Sequence, residues 1–295
     1  MIDEIKKICA KNLNCEEDNL SVSKFYHGDG NAKQKVLFLV TDNGSASRGG
    51  GNQANSSRAS LKCLVKIRRD KSDNSRINDE YDSCKKASLL EQKAFYIPKA
   101  LFISKVGEHT AYGEEVVAGE VVSKGQALSL VGEVIDFQRS LVPYKRAQVA
   151  DIIKALSVYD FSGDQLFVEL NKVLIENKSS SLSCSFSHGD LTFRNILMRS
   201  VKDVKDNLRC QLVLIDWEYS SSRPVWGIDF IHYMVRALKI SSYREAMEAR
   251  SKIVAHMPEI DKDFPVLVAL DRIFDLLVKN YNDGRAEAVA RLLRQ

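Results

Sequence analysis

The chain has 295 residues, 44% of them hydrophobic and 28% charged, with a formal net charge of +4. This is the composition of a globular protein long enough to bury its own core, and about two domains are expected at this length. The charge excess is too small and too dispersed for a nucleic-acid-binding surface, and no apolar run reaches the roughly 18–20 residues that cross a bilayer. In chain order, MIDEIKKICAKNLNC lacks the apolar stretch of a secretory signal and is expected to form a short amphipathic helix. SVSKFY (21–26) and KVLFLVT (35–41) read as strands around the turn HGDGNAKQ. A third strand, LKCLVKI, places Leu61, Cys63, Val65 and Ile67 on one face. Residues 43–60, small and polar, lack the apolar anchors that repay ordering and read as a long mobile hairpin loop.

A helix is expected over residues 77–93, with Tyr81, Cys84, Leu89 and Leu90 as its apolar residues, followed by strands at 100–103 and 111–117. Beyond residue 124 the period becomes helical: 128–141, 149–161, 164–176, 227–239, 243–257, 266–281 and 284–294 all space apolar residues at i, i+3 and i+4. Two short strands interrupt, 195–198 and 211–215, joined by a charged loop. The fold class read from this order is α+β, with a small β-rich lobe over residues 1–119 and a larger helical lobe over 120–295. Six dispersed cysteines, with no CxxC pair and no zinc spacing, read as reduced thiols of a cytoplasmic protein.

The chemistry concentrates in SHGDLTFRNILM (187–198) and LIDWEYS (214–220). Asp190 and Asn195 lie in a loop entering a strand, and Asp216 follows an apolar run at the end of another. Phosphoryl transfer needs such a set: a carboxylate to orient the acceptor hydroxyl, and hard oxygen ligands to hold Mg²⁺ against phosphates. These motifs closely resemble those of the aminoglycoside phosphotransferase and choline kinase superfamily, which has a protein-kinase-like fold. The resemblance implies Asp190 as catalytic base, Asn195 and Asp216 as Mg²⁺ ligands, and His188 as a structural residue of the catalytic loop. Gly227-Ile228-Asp229-Phe230 matches the family's later aspartate, which braces that loop.

The resemblance also implies a nucleotide clamp upstream. Lys66, in the third strand, would hold the α- and β-phosphates through pairing with a helix glutamate, for which Glu80 is preferred over Glu91. Gly28 and Gly30 sit in the turn expected over the phosphates. The glycine-rich RGGGN at 48–52 reads as solvated loop, and no GxxxxGK[ST] run is present. YGEEVVAGE (112–120) resembles the connector after the small lobe, with backbone groups at Glu115 and Val117 on the purine edge. Arg194 either neutralises charge on the transferring phosphoryl group or ties the catalytic loop to the helical lobe. Position 192, where many protein kinases carry a lysine, is Thr192, which argues against a protein substrate.

The function expected is an ATP- and Mg²⁺-dependent phosphotransfer to a hydroxyl of a small molecule: an amino alcohol, a sugar or an aminoglycoside-like compound. A near-balanced helical lobe and a basic tail weigh against a polycationic acceptor, although Glu259, Asp261 and Asp263 offer local negative charge. Trp217, Tyr219, Trp226 and Tyr233 either line a pocket for a cationic head group or only pack. The alternative is a kinase-fold nucleotide-binding or scaffolding protein without turnover. It would be favoured by loss of the base, the metal ligand or the phosphate lysine, all of which are present.

Overall fold

The computed structural model describes residues 1–25, 35–43, 60–68, 74–90, 93–157, 161, 163–202, 207–220 and 223–280. Its backbone divides into two units. The first joins Met1–Leu89 with Ile97–Ala118, and the second joins Leu90–Tyr96 with the chain from Gly119 onward.

In the first unit, helix α1 (Ile2–Leu13) precedes strands β1 (Leu20–Phe25), β2 (Lys35–Asp42) and β3 (Ser60–Arg68). Helix α2 (Asn74–Ala87) and the hairpin of β4 (Ala100–Val106) and β5 (His109–Glu114) follow. All neighbours in the sheet are antiparallel, in the order β1-β2-β3-β5-β4. Alternation decides which side is covered: Val36, Phe38 and Val40 of β2 and Cys63, Val65 and Ile67 of β3 are buried in one cluster with Ile5 and Cys9 of α1. Lys66 and Arg68 alternate with that apolar set on β3 and are buried too, and α2 packs on β3, β4 and β5.

Three expectations are corrected here. Leu61 does not share the face of Cys63, Val65 and Ile67; it is 49% exposed. The pairing shifts so that Val40 faces Cys63 while Thr41 faces Leu61, and the extra residue, Lys62, breaks the alternation as a bulge does. The helix expected over 77–93 runs from Asn74 and ends at Ala87, where Ser88 turns its hydroxyl onto the Lys85 carbonyl. Its buried stripe is Ile77, Glu80, Ser83, Cys84 and Ala87, and Leu89 is exposed. Two polar members of that stripe hid its position from an apolar count. Strand β5 stops at Glu114 rather than 117, and β4 continues to Val106, where Gly107 takes a φ of +55° and turns the hairpin.

The second unit begins with residues 90–96, whose Tyr96 bridges Val213 and exchanges backbone bonds with Leu212 and Leu214. Strand β6 (Glu120–Val121), helix α3 (Val131–Ser140), strand β7 (Lys145–Gln148), helices α4 (Val149–Leu156) and α5 (Gln165–Glu176) and strand β8 (Ser181–Cys184) come next. Strands β9 (Ile196–Lys202) and β10 (Leu208–Leu214) then lead to helices α6 (Ile228–Ala237), α7 (Tyr243–Glu248), α8 (Arg250–Val254) and α9 (Phe264–Asn280). β10, β9 and β6 form one antiparallel sheet, and β7 pairs with β8. The β7–β8 pair was not expected, and the helix read over 243–257 is two short helices that meet at Ala249. Helix α6 is the centre of this unit. Every residue of it except Arg236 is buried, as a helix walled on all sides requires, and α3 and α9 pack against it.

The turn carrying Gly28 and Gly30, residues 44–59, Glu91 and the helix read over 284–294 lie outside the described residues. Among the described residues no helix is long and apolar enough to cross a membrane. The bulge makes a direct prediction. Phe38→Ala, at a buried site, is expected to lower the unfolding free energy in urea by about 3–5 kcal/mol. Leu61→Ala should change it by no more than about 0.5 kcal/mol.

Candidate active site

The register of β9 on β10 brings the motif residues together. Ile196 faces Leu214, and the Ile215 amide donates to the Asn195 carbonyl at 3.0 Å, so Asn195 and Asp216 leave neighbouring strand ends. Asp190 joins them through Asn195, whose Nδ2 donates to the Asp190 carbonyl at 2.8 Å and to its Oδ2 at 3.0 Å. Both partners are acceptors, so the amide group must face them with its NH₂, which turns the Asn195 Oδ1 away from Asp190. The turn Phe193–Asn195 is 3-10. Asp216 is half-buried and holds a φ of +65°, a left-handed conformation that aspartate visits more readily than most residues.

The loop before Asn195 is held from three sides. Gly189 has a φ of +82°, and a Cβ there would sit 1.9 Å from the Tyr219 carbonyl oxygen, so only glycine fits. Asp229, buried in the first turn of α6, accepts the amides of His188 at 2.6 Å and Gly189 at 2.9 Å. Burial pushes its carboxyl up, and these two bonds oppose that. His188 Nε2 donates to the Ile215 carbonyl at 2.9 Å while its Nδ1 accepts the Asp190 amide at 3.3 Å, which is the pattern of a neutral imidazole. The ring lies 4.6 Å from that of Trp217. One histidine thus ties the loop to the strand end that carries Asp216.

The Asp190 side chain is 36% exposed. Burial would raise its carboxyl. The bond and positive charge of His232, with the charge of Arg223, outweigh that and hold it below the usual carboxylate range. A carboxylate so stabilised is a weak base, better suited to orienting a hydroxyl than to removing its proton early.

In the first unit, Lys66 Nζ lies 2.6 Å from Glu80 Oε1 and 3.0 Å from Glu114 Oε1. Lys35 reaches the second Glu80 oxygen at 3.0 Å. Two ammonium groups therefore face two buried carboxylates. Burial pushes the Glu114 carboxyl up, against the pull of Lys66. The Lys66 ammonium also sits 5.4 Å from the centre of the Tyr112 ring, its partner across β5.

The remaining candidates fall in different settings. The Arg194 side chain is exposed on the 3-10 turn. The Glu115 amide donates to the Lys99 carbonyl at 2.9 Å, and Val117 is half-buried. Trp217 and Tyr233 are buried core residues: the former stacks on Phe186, and the latter donates its hydroxyl to the Ala127 carbonyl. Tyr219 and Trp226 are half-buried, and Trp226 helps line a cavity of about 290 Å³ with Arg146, Glu259, Lys262 and Asp263. Glu259 and Asp261 are paired with Arg139 and Arg250. Sequence reasoning missed Glu114, Lys35 and His232. Glu114 alone had a local signal, since it lies two residues beyond Tyr112 on the same strand face.

No protein-family model and no curated protein sequence matches this chain. Many solved structures resemble it, and two illustrate the likeness. A fructosamine-3-kinase-like protein from Haemophilus somnus 129PT is 11% identical, with a TM-score of 0.51 over 99% of this chain and 96% of its own. The GDP complex of aminoglycoside 2'-phosphotransferase-IIIa is 12% identical, with a TM-score of 0.51 over 93% and 91%. At these identities the likeness establishes the fold alone: α+β, with an antiparallel N-terminal sheet and a helical C-terminal part, as in those two structures.

The contact at Gly189 yields a prediction. Gly189→Ala must displace either the loop that carries Asp190 or the backbone at Tyr219. A loss of at least about 2 kcal/mol on unfolding is expected, because positive φ and a steric clash add. Calorimetry of the purified variant measures it.

Proposed function

We propose that the chain is a kinase that moves the γ-phosphate of ATP to a hydroxyl of a small molecule. The observation that carries this reading is the grip of Asn195 on Asp190 beside the strand end that bears Asp216. It joins an orienting carboxylate to two hard oxygen donors, and sparse oxygen donors suit Mg²⁺, which keeps most of its waters and takes one or two carboxylates with substrate phosphates. The amide orientation fits the metal: with Nδ2 committed to Asp190, Oδ1 is the atom Asn195 would offer. Bound Mg²⁺ would supply neutralisation of the phosphate charge that develops during transfer.

Each residue then has a task its setting supports. Asp190 accepts a hydrogen bond from the acceptor hydroxyl, aims it in line with the γ-phosphate, and takes the proton late. Lys66, held by Glu80, binds the phosphates, and Arg194 stands next to Asn195 for the same charge. Glu115 and Val117, with the turn at Gly28 and Gly30, complete the nucleotide site by resemblance. The GDP bound by the aminoglycoside phosphotransferase neighbour supports a purine nucleotide. The acceptor class stays broad: two of the three acidic residues considered for a polycation, Glu259 and Asp261, are engaged by arginines, and two of the four aromatics considered for a cationic head are core residues. Six free cysteines favour the cytoplasm.

Thermal unfolding with and without Mg·ATP tests the metal assignment. The wild type should gain stability, and Asp216→Ala should lose that gain. Equal stabilisation of both removes Asp216 from the site. Asp190→Asn should lower turnover by about 10²–10⁴-fold with ATP affinity nearly unchanged. Full turnover in that variant would leave the kinase resemblance as one of fold alone.

A further inference from the structure

Asp190 is fixed at both oxygens. Asn195 donates to Oδ2, and on the opposite oxygen His232 Nε2 lies 3.1 Å from Oδ1. His232 is 1% exposed and projects from the middle of α6. Its other nitrogen, Nδ1, lies 2.7 Å from Oδ1 of Asp271, a wholly buried residue of α9. Arg223 donates to that same Asp271 oxygen at 2.7 Å and to Asp275 at 2.8 Å, and Arg236 pairs with the second oxygen of Asp275. A buried chain of alternating charge thus runs from the catalytic loop to α9.

We propose that His232, backed by Asp271, is a positioning residue for phosphotransfer: it holds the Asp190 carboxylate at one rotation, with its remaining lone pairs toward the acceptor hydroxyl. This inference rests on the kinase reading above. A carboxylate has about four acceptor sites. Bonds from Asn195 and His232 occupy one on each oxygen and stop rotation about the side chain's terminal bond, while the side chain remains partly exposed on its third side. Misplacement by about 1 Å is enough to cost about 10²-fold in rate. Rotation of a free carboxylate moves its oxygens by more than that.

Both nitrogens of His232 face acceptors, so the geometry asks for the doubly protonated ring. Charge balance asks for it as well. Among the paired groups, Arg223 and Arg236 offer two positive charges to Asp190, Asp271 and Asp275, and a charged His232 supplies a third. The groups that face the ring are Asp190 from the catalytic loop, Arg223, Asp229 of its own helix, and Asp271 and Asp275 of α9. Burial and the nearby Arg223, whose Nη1 is 2.9 Å from Nδ1, favour the neutral ring. Asp271 and Asp190 prevail, and push His232 up to about 9. His232, Asp271 and Asp275 also lie close enough to hold a metal ion, but the Arg223 guanidinium already occupies two of the three as their cation.

The test combines kinetics with histidine NMR on the full-length chain. His232→Ala is expected to lower kcat by about 10²-fold with little change in the KM for ATP, and His232→Gln, which restores an uncharged donor, to recover part of the loss. In an Asp190→Asn background, His232→Gln should have no further effect. Melting curves identify any variant that does not fold. In the ¹⁵N-histidine spectrum of the wild type, the resonance that disappears in His232→Gln should titrate near 9. In Asp190→Asn its midpoint should fall by roughly 1 pH unit or more. Turnover in both His232 variants equal to the wild type, an undiminished second loss in the Asp190→Asn background, or an unmoved midpoint each overturn the proposal. A wild-type chain that releases no ADP with any acceptor overturns the kinase reading, and the catalytic role of His232 with it. The midpoint in Asp190→Asn still reports the physical coupling in that case.

Discussion

Asp229 is the constraint on which the site depends. A carboxylate without access to water needs hydrogen-bond donors, and this one receives one on each oxygen from two consecutive backbone amides, those of His188 and Gly189. Each such charge-assisted bond contributes about 1.5–3 kcal/mol. The two bonds lock the loop that carries Asp190 onto the first turn of α6. Everything after follows from that anchor: Gly189 must be glycine because the loop is drawn against Tyr219, His188 is aimed at Ile215, and Asp190 is delivered to His232 on the same helix. α6 therefore serves both ends of the loop, with Asp229 holding the backbone and His232, three residues on, holding the side chain. This placement explains why the helix can bury Asp229 and His232 along with its apolar residues. Their partners are the loop and α9 rather than solvent.

Charge balance is the second theme, and it recurs in each unit. Lys66 and Lys35 face Glu80 and Glu114 in the first unit. In the second, three carboxylates face two arginines and His232. Buried charges are tolerated only in such sets, and removing one member leaves another uncompensated. A lysine shared by two carboxylates is held in one place without a ligand, and phosphate oxygens bound there would compete for it with Glu114 as well as with Glu80. Asp190 is held by its neighbours in the same way. Its lowered basicity fits a reaction whose transition state is loose in most analyses and needs its nucleophile aimed more than deprotonated.

What was legible in the sequence is what is local in the chain. HGDLTFRN and IDW place Asp190, Asn195 and Asp216 within a few positions of strand ends, while Asp229 is implied by the family resemblance; the hairpin register and the Asn195 bonds bring the first three to one edge. The pairing of Lys66 with Glu80 is implied by the family resemblance rather than by the local sequence, and the two lie in contact. The misses have physical causes. Asp271 and Arg223 are 48 residues apart, and nothing short-range in either segment marks the partner. His232 looked like one more residue of an apolar helix. KRAQ and SLSC, the β7–β8 pair, are too short and too polar to alternate visibly. The stripe of α2 departs from the apolar count because it buries Glu80 and Ser83, two polar residues.

The account stands on transfer, not on nucleotide binding alone, and the reaction product tests it most directly. Purified chain, ATP and Mg²⁺ incubated with amino alcohols, sugars and aminoglycosides in turn should give, by ³¹P NMR, a phosphomonoester signal with at least one acceptor class, in amounts equal to the ADP formed. Stabilisation by Mg·ATP with no phosphomonoester from any of the three classes would contradict it, and would make the chain a nucleotide-binding protein that keeps the kinase fold without the reaction.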